Sequence, residues 1–99
     1  MLHIVNKSPS TTRTLESCLR LARDGHALLL IEDGVYAATT RSPAAAAVQD
    51  ALKRLKVFAL RPDLEARGMN SVVLDGVTLV DYGGFVDLVA EHTATQSWL

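Results

Sequence analysis

Apolar residues in this chain follow two alternating spacings. Short apolar runs recur at intervals, and between them apolar residues return every three or four positions. Leu2-His3-Ile4-Val5 is a short run rich in β-formers and predicts a strand. Ala27-Leu28-Leu29-Leu30-Ile31 is unbroken, then switches at once to Glu32-Asp33-Gly34. A short apolar run that ends in a turn reads as a strand buried on both faces. Lys56-Val57-Phe58-Ala59-Leu60 predicts a third strand and Val77-Thr78-Leu79-Val80 a further one. Val72-Val73-Leu74 is apolar as well, but Asp75-Gly76 interrupts it with a turn signal.

The segments between these runs carry helical spacing. A helix starting at Ser10 or Thr11 and running to Asp24 places Leu15, Leu19 and Ala22 on one stripe, with Cys18 on its flank. Gly25 is placed to end it. Ser42 as cap and Pro43 in the first turn predict a helix over 44–55, with Val48, Leu52 and Leu55 on its face. Pro62 to Gly68 fits a short helix, and Gly34 to Ala38 fits one helical turn. Asp81 is a cap for a last helix over 82–91, which keeps Phe85, Leu88 and Val89 on one face. The tail from Thr93 is polar until Trp98-Leu99, so its tip should dock on the chain's own core or on a partner.

Strand, helix, strand within about 30 residues is a βαβ unit, with parallel pairing and a right-handed crossover. The fold class is therefore α/β: a three-layer sandwich around a mostly parallel sheet of four to five strands. Ninety-nine residues make one domain, 1–99.

Composition adds limits. The chain is 48% apolar, as a globular domain is, and its net charge of −1 gives no basic face for nucleic acid. The charge is unevenly placed. All ten Lys and Arg residues lie at or before Arg67, whereas Asp75, Asp81, Asp87 and Glu91 follow without a basic residue among them. That C-terminal third is an acidic surface, suited to a basic partner or to a basic patch on its own N-terminal half. A lone cysteine cannot form an internal disulfide, and neither a signal segment nor a membrane span is visible, so a cytoplasmic location is expected.

Candidate chemistry is sparse. Phosphate-loop, dinucleotide and nucleophile-elbow motifs are absent from the sequence, which gives no basis for a cofactor. His3, His26 and His92 are too widely spaced for a metal-ligand motif, and no metal is expected. Cys18 is the one strong nucleophile. A single thiolate can accept sulfur as a persulfide and pass it on, but a mid-helix position offers little to acidify the thiol. The competing reading of Cys18 is a small packed residue beside Leu15 and Leu19. Glu32 and Asp33 leave a strand in different directions and make a poor acid–base pair. A polar turn in which Asp33 caps the next segment fits them better.

Taken in order, Leu2-His3 with Asn6-Lys7-Ser8-Pro9, then Leu28 to Ala38, then Asp63-Leu64 with Ala66-Arg67-Gly68, then Val80-Asp81-Tyr82 with Phe85-Val86 and Leu88, and the Gln96 and Trp98 ending, resemble the DsrH (TusB) branch of the DsrE/F/H sulfur-relay family. The resemblance covers nearly the whole chain. It implies a cytoplasmic hetero-oligomer with DsrE/TusD-like and DsrF/TusC-like subunits, two copies of each. Such a complex relays persulfide sulfur to a DsrC/TusE-like carrier, without direct contact to nucleic acid or membrane. Each chain is then a relay subunit rather than a stand-alone enzyme. The relay serves either intracellular sulfur oxidation or 2-thiolation of the tRNA wobble uridine. Cys18 and its flanking run incline this chain toward sulfur oxidation, with Cys18 as candidate persulfide carrier. The alternative is tRNA thiolation with this chain a purely structural subunit. Asp33, Gly34, Val35, Tyr36 and Trp98 are the expected contact surface for sister subunits.

Overall fold

The computed structural model describes residues 1–98. Strands β1 (Leu2–Val5), β2 (Ala27–Leu30), β3 (Lys56–Leu60), β4 (Thr78–Val80) and β5 (Thr95–Trp98) form one sheet in the order β4-β3-β2-β1-β5. Every pairing is parallel. Helices α1 (Thr14–Leu21), α2 (Ala45–Ala51), α3 (Arg61–Ala66) and α4 (Tyr82–Glu91) connect the strands, and a 3-10 helix spans Glu32–Ala38 after β2.

The two sheet faces are covered unequally. Successive strand residues point to opposite faces. Val5, Leu28, Leu30, Val57 and Ala59 pack with Leu15 and Cys18 of α1, Val48 and Ala51 of α2, Leu64 of α3 and Val35, Ala37 and Ala38 of the 3-10 helix. The opposite face, Leu2, Ile4, Ala27 and Leu29, packs on Leu88, the one buried side chain of α4. Topology dictates this. From β1 to β4 the chain steps across the sheet in one direction, so right-handed crossovers lay their helices on one side. The return from β4 to β5 reverses direction and puts α4 alone on the other.

The middle strand β2 is legible as an apolar run because helices cover it on both faces; all four of its residues are buried. The polar tail is the unexpected strand. Thr95 to Trp98 pair with Leu2 to Val5, and the Leu2 N–H donates to the Ala94 carbonyl at 3.0 Å. An edge strand needs backbone partners on one side only, so its side chains can stay polar.

The first helix is shorter than its apolar stripe predicts. The Ser8 carbonyl accepts from the N–H groups of Thr11 and Thr12, and the Thr12 hydroxyl accepts from the Thr14 N–H. These local turns compete with helix and delay its start. At the other end, the Arg54 guanidinium donates to the Leu19 and Ala22 carbonyls and so satisfies exposed helix-end acceptors. The second helix also starts later, because a turn closes from the Ala45 N–H to the Ser42 carbonyl while the Ser42 hydroxyl accepts from Ala44. Asp81 caps α4 as its position predicts: its carboxylate accepts from the Gly84 N–H at 2.8 Å.

Gly34 shows why the 3-10 helix sits where it does. A Cβ there would overlap the carbonyl oxygen of Val5, so only glycine lets this segment pass beneath the end of β1. Gly34→Ala should lower stability by about 1–3 kcal/mol, as overpacking does. Gly83 lies exposed in α4, and its added methyl would meet Asp81 Oδ1 at 3.4 Å, an ordinary contact. Gly83→Ala should raise stability by about 0.5–1 kcal/mol through helix propensity. Urea midpoints of the two variants should move in opposite directions, and a like shift would contradict the packing described for Gly34.

Candidate functional site

The segment after β2 leaves the sheet at its C-terminal edge, where ligands and partners dock in open α/β sheets. Glu32 takes a left-handed backbone conformation (φ 50°), and its N–H donates to Asp63 Oδ2 at 2.6 Å. Asp33 does not cap the turn. Its Oδ1 accepts from Arg67 Nε and lies against Arg67 Nη2, both at 3.0 Å, while Arg67 Nη1 reaches the Asp63 carbonyl. This ties the 3-10 helix to α3. The acids of the loop are thus engaged in docking two elements together. Of the expected contact residues, Gly34 and Val35 are buried within the fold, whereas Asp33 is exposed and Tyr36 is half-buried. A partner meeting this loop meets Asp33 and Tyr36.

Cys18 lies on the core face of α1, fully enclosed. Burial pushes its thiol up from an ordinary value near 9.0 to about 12. At pH 8 the thiolate is then on the order of one part in ten thousand. The flanking position read from the spacing is therefore an interior one, and the thiol packs as a small apolar group.

A polar chain runs along one end of the same sheet face. The Trp98 indole N–H donates to His3 Nδ1 at 3.1 Å. An indole nitrogen only donates, so His3 Nδ1 is bare and its proton sits on Nε2. That nitrogen lies 2.9 Å from His26 Nδ1, which also accepts from the Arg23 N–H at 3.2 Å. The network therefore holds both imidazoles neutral. Burial lowers the pKa of His3, with His26 and the amino terminus adding to the effect. Burial also lowers that of His26, followed by the charges of the amino terminus and Arg23. This cluster fastens β5 to β1 and β2. Trp98 therefore docks on its own fold. Spacing in the sequence gave no hint of the cluster, because residues 3, 26 and 98 meet only through strand order.

A shallow cleft of about 230 Å³ opens near the sheet's C-terminal edge, between Ser8, Pro9 and Ser10 on one side and Tyr36, Arg41 and Met69 on the other. Its lining holds hydroxyls and one guanidinium but no carboxylate, imidazole or thiol. Among the described residues no group of three His, Cys, Asp or Glu side chains is arranged to hold a metal ion. No described helix is long and apolar enough to cross a membrane.

A family model described as "DsrH like protein" matches residues 7–95. The chain belongs to the DsrH family. It is similar to "Protein TusB" of Pectobacterium parmentieri, at 39% identity over 99% of this chain and all of that one. It is likewise similar to "Protein TusB" of Escherichia coli strain K12, at 37% identity over 99% and 100% of the two chains. Among solved structures, the ychN protein of E. coli superposes with a TM-score of 0.80 at 18% identity, covering 97% of each chain. A Methanobacterium thermoautotrophicum protein titled as of unknown function, MTH1491, superposes with a TM-score of 0.75 at 23% identity, covering 97% of this chain and 95% of that one. These two likenesses establish the α/β sandwich.

The histidine pair should make the stability of this DsrH-family chain pH-dependent. Both pKa values are lowered on folding, so the unfolded chain binds more protons at mildly acid pH. The stabilisation is whole above the unfolded value near 6.5 and is lost as pH falls through the lower folded values. Urea midpoints should drop between about pH 7 and pH 5, and Trp98→Phe should be less stable at pH 7 and lose part of that slope. A flat profile for the native chain would contradict the neutral network. Cys18 should react with a thiol reagent at pH 8 only as fast as the chain opens, and at once in urea. Cys18→Ser should cost about 1–3 kcal/mol by burying a hydroxyl.

Proposed function

We propose that this chain is an assembly subunit of a cytoplasmic sulfur-relay complex serving 2-thiolation of the tRNA wobble uridine. It joins DsrE/TusD-like and DsrF/TusC-like subunits of the same fold, and they and a DsrC/TusE-like carrier hold the sulfur. Cys18 packs and does not carry it. The observation that carries this reading is the enclosed thiol of Cys18, with its pKa pushed up to about 12 by burial. A persulfide carrier needs a thiolate that a donor can reach, and α1 offers neither.

Membership of the DsrH family supports the relay. Full-length similarity to proteins that carry the TusB name supports thiolation over the sulfur-oxidation branch to which Cys18 had inclined the reading. Once Cys18 is understood as core, its presence no longer argues for oxidation.

Three measurements test the proposal. Co-expressed with DsrE-like and DsrF-like chains, the protein should elute as one complex by size exclusion, with all three masses present; a stable monomer would overturn the assembly reading. After loading that complex with a persulfide donor, intact masses should show one added sulfur on a partner and none on this chain. In cells lacking the native gene, Cys18→Ser should restore wobble-uridine thiolation as fully as the unaltered chain. A sulfur adduct that requires Cys18, or failed restoration by a folded Cys18→Ser chain, would assign the carrier role to Cys18 instead.

A further inference from the structure

Helix α4 is more apolar than its packing requires. Only Leu88 is buried, with Phe85 half-buried beside it on the sheet. At about 100° per residue, Leu88, Phe85, Val89, Tyr82 and Val86 follow one another around the helix and span roughly 160°. A helix laid on one layer needs an apolar stripe of about 100°. The surplus is exposed: Tyr82 is 62% accessible, Val86 65% and Val89 40%. It continues without a break into Phe85, and Phe58, Val80 and Ile31 of the same sheet face are likewise only partly covered. One helix on this side faces three helices and a 3-10 segment on the other.

The charged rim says what kind of surface fits. Asp87 and Glu91 lie on the exposed flank of α4 beyond Val86, Asp81 stands at its start, and no Lys or Arg occurs after residue 67. A second copy placed α4 to α4 about a two-fold axis would set these acids against each other with no base in either helix. Lys56 at the start of β3 shares this sheet face, but the acids of α4 itself disfavour anionic lipid and nucleic acid.

We infer that the outer face of α4, Tyr82-Val86-Val89 bounded by Asp81, Asp87 and Glu91, is the docking surface for a different protein subunit. That subunit's contact surface is apolar at its centre and carries Lys or Arg at its rim. The inference rests on the assembly reading and locates one of its interfaces. It lies on the sheet face opposite Asp33 and Tyr36, so both surfaces can be engaged at once.

The test uses the co-expressed complex with DsrE-like and DsrF-like chains. Val86→Asp should fold as the native chain does, with an unchanged urea midpoint, and weaken assembly at least tenfold. Val86→Ser serves in its place if the aspartate disturbs folding. Leu21→Asp alters an equally exposed residue of α1 and should leave assembly unchanged. Asp87→Lys with Glu91→Lys should weaken assembly and flatten its dependence on salt. If the native chain assembles and Val86→Asp assembles equally well, this inference fails while the assembly reading stands. If the native chain assembles with no partner, both fail. If instead it self-associates and Val86→Asp abolishes that, the occupant is a second copy and the heterologous surface proposed here is overturned.

Discussion

The parallel pairing of β1 with β2 is the constraint on which everything else rests. Four aligned pairs, Leu2 with Ala27 through Val5 with Leu30, set the two strands side by side. With that register set, the ends of both strands open on one edge, and the 3-10 helix must pass under the β1 terminus at Gly34. The same register brings His3 beside His26 and prepares the site where Trp98 closes β5. A shift of one residue would turn Leu2 and Ile4 away from α4 and send His3 to the wrong face.

The fold encloses the thiol of Cys18, and burial keeps it protonated. Cys18 points into the larger core, among residues from α1 and the central strands. The polar groups that remain are used for construction. Asp33, Asp63 and Arg67 join the 3-10 helix to α3, and Arg54 closes the end of α1. In the assembly role proposed above, a rigid parallel sheet is suited to holding partners in position. The unequal covering of the two sheet faces follows from the handedness of the crossovers and leaves the α4 side more exposed.

How much of this could be read from the residues differs by element. The apolar run 27–31, the Ser42-Pro43 start signal and the Asp81 cap act through neighbours in sequence, and each marks its element within a few residues. So do the α/β class and the relation to the DsrH family. Strand β5 could not be read, because edge-strand stability comes from backbone bonds to β1 and leaves Thr95, Gln96 and Ser97 free to be polar. The loop of Asp33 to Tyr36 was legible as a turn but not as a half-buried one. Only the close pass beneath Val5 decides that Gly34 and Val35 face inward.

Local spacing alone therefore determined the order of β1 to β4 and of the helices between and after them, the capping of α4 and the apolar stripe of α1. Tertiary structure decided the roles. It turned Cys18 from a flanking nucleophile into core, because α1 rolls that flank onto the sheet. It turned three scattered residues into one hydrogen-bonded cluster, because strand order brings positions 3, 26 and 98 together. It left Tyr82, Val86 and Val89 in solvent, because a single helix cannot bury both of its sides on one sheet. Each outcome depends on contacts between residues far apart in the chain, and those contacts leave no periodic trace in the sequence.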